Sequence, residues 1–581
     1  MEYKEISVPQ LTPIYRAKRH ESFRELIEYA AETYDNDHAF ILKTKRAKGN
    51  SPAEYRYITY RDFKADVHAF GTGLLKSKLL NKRFAIIGKN SYKWLLAYYA
   101  VLGGLGVCVP LDKGLPYAEL ESSLIKSQAC VLIFDREHEE LIKTLKKQNT
   151  TSVTYFICMD DLPGYEPFSW ILNKGEAALG KGDTDYMNLP VDPKATSILL
   201  FTSGTTSSAK AVMLSQFNVL ENIYSMELVE DIRHGDINMA FLPFHHTFGS
   251  TGQSLMIARG VTTTFCDGLK YIQKNMKEYR VSIFICVPLL IESMYRKLIA
   301  GVHKQGKEKK VERGLKISKL LLKLRIDRRR YIFSKLIEEF GGALRFIISG
   351  ASPLDPEVAR GFESFGIKVV QGYGMTEASP VLASENPVTR KPGSIGKAMP
   401  GVELTILNPD RDGVGELTAR GGNIMSGYFE DPSATAEILV NGRLRTGDLA
   451  KLDDDGFLFL KGRMKNVIVL KNGKNVYPEE IETLISALPY VRENIVFGQR
   501  KSNAGDNKDM LICTKIVYDK EYFKTRFATC DETKIKRIIE DDIDRINKSL
   551  PTYKNIHRIE IGDVEMAKTT TGKVKRYIEN R

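Results

Sequence analysis

The stretch best equipped to grip a polyanion is Phe201-Thr202-Ser203-Gly204-Thr205-Thr206-Ser207-Ser208-Ala209-Lys210. Backbone N–H groups around Gly204 can converge on phosphate oxygens, the Ser and Thr hydroxyls add donors, and Lys210 adds a positive charge. The P-loop of NTPases, G-x-x-x-x-G-K-[ST], is excluded. Counting from Gly204, Ala209 stands where the second glycine belongs, and Ala211 where a hydroxyl would bind magnesium. The loop also leads into a strand, whereas a P-loop opens a helix.

The elements that hold this loop follow from the flanking residues. Thr196-Ser197-Ile198-Leu199-Leu200 is a short apolar run that predicts a buried strand. Ala211-Val212-Met213-Leu214 predicts a second, and Ser215 a helix N-cap. Residues 1 to about 190 alternate strand signals (Phe84 to Ile87, Val107 to Val109, Cys130 to Phe134) with helix signals such as the one beginning at Tyr117. The alternation continues through Met239 to Leu242, Val261 to Phe265, Val281 to Cys286 and Leu344 to Ile348. This is the pattern of an α/β fold with a largely parallel sheet.

A chain of 581 residues is too long for one core, and its 43% hydrophobic and 27% charged residues are those of a soluble globular protein. The seven cysteines are scattered without a C-x-x-C pair, which argues for a reducing compartment and against a zinc site. Met1-Glu2-Tyr3-Lys4-Glu5 lacks the apolar core of a signal peptide. Trp94 to Leu111 is 18 residues without a charge, but Gly103, Gly104, Gly106 and Pro110 break it. A buried helix ending near Gly103 and a strand over Val107 to Val109 are expected there in place of a membrane span.

Of the net charge of +13, residues 303–335 carry +10, from 13 Lys/Arg against 3 Asp/Glu. The near-neutral remainder argues against nucleic-acid binding. Within this segment Ile317, Leu320, Leu321 and Leu324 fall at helical spacing between Lys316, Lys319, Lys323 and Arg325. The favoured expectation is a solvated helix whose apolar stripe packs on its own domain; the alternative is a helix lying on an anionic membrane surface.

Near residue 460 the character changes. Val467 to Leu470 and Asn475-Val476 flank Lys471-Asn472-Gly473-Lys474, a hairpin with Asn-Gly turn chemistry. Pro478, Glu479 and Glu480 then open a helix with proline and acids where the dipole favours them. A large unit over 1–463, a hinge at 464–466 and a small α+β unit over 467–581 are expected.

Five motifs in order carry a family resemblance: the 201–210 loop, Gly372-Tyr373-Gly374-Met375-Thr376-Glu377, Thr446-Gly447-Asp448, Gly462-Arg463 and Thr571-Gly572-Lys573. The chain resembles the adenylate-forming (AMP-binding) synthetases from about residue 55 to 576, and is most similar to bacterial long-chain fatty acyl-CoA synthetases. The resemblance implies a large N-terminal α/β domain with mixed and parallel sheets and a small mobile α+β C-terminal domain. It also implies a reaction in two halves. A carboxylate attacks the α-phosphate of Mg-ATP to give an acyl-adenylate and pyrophosphate; the CoA thiol then displaces AMP.

The roles it implies are specific. Thr202, Ser203, Gly204, Thr205, Thr206 and Lys210 hold phosphates, and Thr205 and Glu377 attend Mg2+. Tyr373, within Gly372 to Thr376, stacks on adenine, and Ser349-Gly350-Ala351 lines the base. Asp448 and Arg463 hold the ribose, Lys573 bridges carboxylate and α-phosphate, and Lys465 is the hinge. Asn472, Gly473 and Lys474 form the thioester hairpin that serves CoA, while His246 and Phe248 gate the acyl tunnel. The sequence departs from the family pattern at Ser207, Ala209, Ala211 and Ala567, none of them a reacting group.

The implied activity is that of an acyl-CoA synthetase for a medium- to long-chain fatty acid. An acyl-AMP or acyl–carrier-protein ligase, and a CoA ligase for an aryl or other acid, are the alternatives. Lys573, Asp448 and Glu377 together argue against a non-catalytic nucleotide-binding regulator. The implied location is the cytoplasm, with peripheral contact at the inner membrane face as the option offered by 303–335.

Overall fold

The protein is described by a computed structural model over residues 4–46, 52–202, 209–471, 474–500, 510–528, 531–568, 574 and 576–579. Among these residues the strands before residue 464 fall into three sheets. The first has eight strands. Its centre is the parallel set Val131–Phe134, Lys82–Ile87 and Gly106–Leu111, followed by Thr196–Thr202 and then the antiparallel Lys210–Ser215 and Gly427–Tyr428. The second has nine strands, with Thr262–Phe265, Ile237–Ala240, Ile283–Cys286, Phe346–Ser349 and Lys368–Gly374 running parallel at its centre. The third is antiparallel and includes Val402–Leu407, Gly415–Gly421, Arg443–Leu452 and Leu458–Arg463. The α/β class expected from strand and helix alternation is the one observed.

The central strands are apolar runs because helices cover both faces of a parallel sheet. One covering helix, Thr247–Ala258, is buried at every position but Phe248. Such a helix has no solvent face, so its polar groups bond inward. Gln253 donates to Thr263 at 3.0 Å and Thr251 to the Ser379 carbonyl at 3.2 Å. Gly249 lets it pack closely, since a Cβ there would lie 2.0 Å from the Pro243 carbonyl.

The uncharged stretch from Trp94 forms a buried helix, Tyr92–Ala100, a wide helical turn over Val101–Leu105 and the strand Gly106–Leu111. Among the described residues no helix is long and apolar enough to cross a membrane.

The basic segment departs from the favoured expectation. The helix Glu308–Lys323 packs inward through Val311, Gly314, Leu315 and Ser318. Ile317, Leu320 and Leu324 point to solvent, Leu324 being 63% exposed, and Tyr331 beyond them is 82% exposed. Of the expected stripe only Leu321 is partly buried, and the face turned to the domain carries Val311, Gly314, Leu315 and Ser318 instead.

Beyond residue 464, strands Val491–Arg500, Met510–Tyr518 and Arg558–Gly562 form a separate sheet. It shares a core of Ile481, Ile485, Val496, Ile512, Ile535 and Ile539 with its helices. The helix Pro478–Ser486 starts with proline and two acids, as expected. Ile468–Val469 pairs antiparallel with Asn475–Val476. Asn472 and Gly473, between them, lie outside the described residues.

Candidate active site

The 201–210 loop joins two antiparallel neighbours, with Thr202 opposite Lys210. Ser203, Gly204, Thr205 and Thr206 lie outside the described residues. Thr202 Oγ1 donates to the Lys210 carbonyl at 3.4 Å, and the Lys210 ammonium sits 4.8 Å from the ring centre of Tyr428. Ser215 caps the following helix through a reciprocal pair of bonds with Asn218, which fixes the direction in which the chain leaves.

The motif from Gly372 to Glu377 runs off the carboxyl end of Lys368–Gly374. Its neighbour Phe346–Ser349 ends in the same place, delivering Gly350 and Ala351 beside it. Ligand sites in open α/β sheets favour such carboxyl ends. Gly374 is required there because a Cβ would lie 1.8 Å from the Pro380 carbonyl. Ala351 adopts φ +73°, a left-handed conformation that side chains seldom take. Met375 N donates to the Pro380 carbonyl at 2.9 Å, and the Thr376 carbonyl accepts from Ser379 at 3.2 Å.

Glu377 lies in the turn Thr376–Ala378 and is only 8% exposed, so it is not a surface glutamate. Its Oε1 accepts from the Tyr428 hydroxyl at 2.8 Å, and its carbonyl accepts from Met425 N at 2.9 Å. Burial, with Glu377 beside it, pushes the Tyr428 phenol pKa far up.

Tyr373 is buried, and its hydroxyl donates to Asp448 Oδ2 at 2.6 Å. Burial and Asp448 raise the Tyr373 pKa in the same way. The other carboxylate oxygen of Asp448 lies 2.6 Å from Nε of Arg463, directly across the strand pair Arg443–Leu452 and Leu458–Arg463. Lys465 follows in the turn Met464–Asn466. Desolvation and the neighbouring Arg463 pull its ammonium pKa down.

His246 caps the buried helix Thr247–Ala258, its Nδ1 accepting from Phe248 N at 3.4 Å. Phe248 reaches Gly350: a Cβ on Gly350 would lie 2.9 Å from its ring. Beside Phe248 is a cavity of about 20 Å³, lined by Leu242, Phe244, Gly252 and Ile285 among others. That is room for about one water.

Two anchors that sequence reasoning missed hold the 242–246 loop. Asn90 donates to the Leu242 carbonyl at 2.7 Å and accepts from Phe244 N at 3.1 Å, and His245 lies 3.4 Å from Asp112. Tyr428 was missed as well. A tyrosine after a glycine carries no signal of its own, and only the pairing of Val212 with Tyr428 brings it to Glu377.

The structure thus gathers Lys210, Gly350, Ala351, Tyr373, Glu377, Asp448 and Arg463 at one edge, with His246 and Phe248 adjoining through Gly350. Lys474 lies on the small unit, its ammonium 4.3 Å from the Tyr553 ring. Lys573 lies outside the described residues. Chemically the edge offers a buried carboxylate for a hard cation, a second held between a phenol and a guanidinium, and an ammonium beside a hydroxyl-rich loop. Among the described residues no group of three His, Cys, Asp or Glu could cage a metal.

The sequence profile described as AMP-binding enzyme matches residues 27–429, and that of the AMP-binding enzyme C-terminal domain matches 465–578. The long-chain-fatty-acid–CoA ligase 6 of Mus musculus is 26% identical over 555 residues, covering 87% of this chain and 78% of the relative. The chloroplastic long-chain-fatty-acid–[acyl-carrier-protein] ligase AEE15 of Arabidopsis thaliana is 25% identical over 528 residues, covering 77% and 71%. Among solved structures, the anthranilate CoA ligase AuaEII in complex with anthranoyl-AMP aligns with TM-score 0.75 at 19% identity, covering 98% of this chain and 97% of that one. The o-succinylbenzoate CoA synthetase of Bacillus subtilis with ATP and magnesium ion aligns with TM-score 0.70 at 20% identity, covering 96% and 99%.

Proposed function

The chain belongs to the AMP-binding enzyme family, and on that premise we propose that it is an ATP-dependent, AMP-forming acid–thiol ligase. Its acid is a medium- to long-chain fatty acid and its thiol is CoA. In the first half a carboxylate oxygen attacks the α-phosphorus of ATP, and pyrophosphate leaves. In the second the CoA sulfur attacks the acyl carbonyl, and AMP leaves. The observation that carries the reading is the convergence of Glu377, Tyr373, Asp448 and Arg463 at the strand ends, one face of which adjoins the loop ending at Lys210.

Both reagents of the first half are anions, so positioning and cationic contacts must overcome their repulsion. Thr202, Ser203, Gly204, Thr206 and Lys210 hold the terminal phosphates. Glu377 and Thr205 hold Mg2+, which neutralises phosphate charge when bound. Gly350, Ala351 and the Gly372 to Thr376 segment line the base, with Tyr373 against it, while Asp448 and Arg463 take the ribose hydroxyls. Lys573 brings an ammonium between carboxylate and α-phosphate. The small unit, 467–581, swings on 464–466 about Lys465 against the large unit, 1–463, so that Lys573 serves the first half and the hairpin Asn472-Gly473-Lys474 the second. His246 and Phe248 admit the acyl chain. A carrier-protein thiol is the alternative acceptor and an aryl acid the alternative substrate.

A pyrophosphate-release screen over acids of graded chain length, with and without CoA, tests this. Release should be greatest for fatty acids of medium to long chain, with the thioester appearing only when CoA is added. No release from any acid would overturn the reading. Release with thioester formed only on a carrier protein would move it to the alternative acceptor.

The enzyme works in the cytoplasm, and a specific observation favours contact with an anionic membrane at its inner face. Ile317, Leu320 and Leu324 are exposed on a helix whose segment carries +10, a pairing that suits acidic headgroups over an apolar layer. Cosedimentation with vesicles containing phosphatidylglycerol should occur at low salt, weaken at high salt and fall for Leu320→Glu/Leu324→Glu. Equal binding by the variant, or none at any salt, would contradict it.

A further inference from the structure

Tyr428 touches both Glu377 and Lys210, two of the charged groups gathered at the site. Its hydroxyl donates to Glu377 at 2.8 Å, and its ring centre lies 4.8 Å from the Lys210 ammonium. Its backbone is held from three sides. Phe429 N donates to the Ala211 carbonyl at 2.8 Å and Ser426 N to the Met213 carbonyl at 3.1 Å, sewing the segment to the strand that leaves the loop. Met425 N donates to the Glu377 carbonyl at 2.9 Å. Tyr428 N donates to Thr435 Oγ1 at 2.9 Å, tying it to the helix Pro432–Ile438. A buried carboxylate needs a donor, and a phenol on a rigid ring supplies one while fixing the direction of the acceptor. The face of the same ring attracts an ammonium.

We infer that Tyr428 is a positioning residue that sets the spacing between the Glu377 carboxylate and the Lys210 ammonium, and so couples divalent-cation binding to phosphate binding. The inference rests on the proposed roles of those two residues. It assigns the hydroxyl and the ring separate duties. The hydroxyl holds Glu377 ready for the cation, so its loss weakens binding of the metal–nucleotide complex. The ring holds Lys210, so its loss weakens binding of the nucleotide's phosphates even without metal.

The test compares wild type, Tyr428→Phe and Tyr428→Leu by calorimetric titration with ATP in excess Mg2+ and with ATP in EDTA. Tyr428→Phe should weaken Mg-ATP binding about 10-fold, the scale of one lost bond to a buried charge, and leave binding in EDTA unchanged. Tyr428→Leu should weaken both. In a Glu377→Gln background, Tyr428→Phe should have no further effect on Mg-ATP. The KM for the acid should not move. Equal loss with and without Mg2+ in Tyr428→Phe, or no loss at all, would overturn the inference. So would a Tyr428→Phe chain that does not fold, because a hydroxyl whose duty is positioning is dispensable for packing. If wild type itself binds ATP no better with Mg2+ than in EDTA, the proposed role of Glu377 falls first.

Discussion

Asp448 stands directly opposite Arg463 in an antiparallel strand pair, with 2.6 Å between Oδ1 and the guanidinium Nε. Its second oxygen accepts from Tyr373, so one carboxylate joins the strand-end motif to the residue two places before Lys465. On the proposed ribose role of Asp448 and hinge role of Lys465, nucleotide contacts and the junction are linked through a single side chain. Asp448→Asn keeps the shape and removes the charge. Hydrogen bonds to charged groups contribute about 1.5–3 kcal/mol, so the KM for ATP should rise about 10- to 100-fold, with the KM for the acid unchanged. Steady-state kinetics with each substrate varied in turn checks this.

On the proposed acyl-admitting role of Phe248, the small space beside it bears on chain length. Gly252 lines it, and a Cβ there would lie 3.2 Å from Ile285 Cδ1. Gly252→Val should fill the space a distal chain segment would use. Each methylene that loses its contact removes about 0.8 kcal/mol, roughly a fourfold loss in kcat/KM. The variant should prefer shorter acids than wild type, with ATP kinetics intact, as a chain-length series in both proteins will show.

Beside Ser384, which pairs with Gly372, lies a buried acidic group with a pH signature. Glu230 is fully buried, accepts from Ser384 Oγ at 3.0 Å through one oxygen, and its pKa is pushed up to about 8 by burial. Glu385, close by, is pushed to about 7 for the same reason. A raised carboxyl pKa means that the folded chain holds a proton the unfolded chain releases from about pH 4.5. Stability is therefore fully present below that pH and declines as pH rises through 8. Glu230→Gln should flatten the fall in unfolding free energy between pH 5 and 8, by an amount on the order of 1–3 kcal/mol. Thermal melts across that range measure it.

Much of this was legible in the sequence, for identifiable reasons. Strand runs such as Phe346–Ser349 are local properties, and the five motifs in order carry the family resemblance. The packing face of Glu308–Lys323 was not legible. Helical spacing picks out Ile317, Leu320 and Leu324 as an apolar stripe, yet Gly314 and Ser318 face inward because their small size admits Ile332 and Phe333. Tyr428 and Asn90 were also hidden, since each acts through a partner more than 50 residues away: Glu377 for the first, and the 242–244 backbone for the second.

The most direct test of the account concerns Lys573, the ammonium proposed to join the two anions. In Lys573→Ala, acyl-adenylate formation from ATP and a fatty acid should fall by roughly 10²–10³, the scale of a lost transition-state charge contact. Thioester formation from supplied acyl-AMP and CoA should be largely retained. Measured separately on the same preparation, equal loss of both half-reactions, or no loss of the first, would contradict the account.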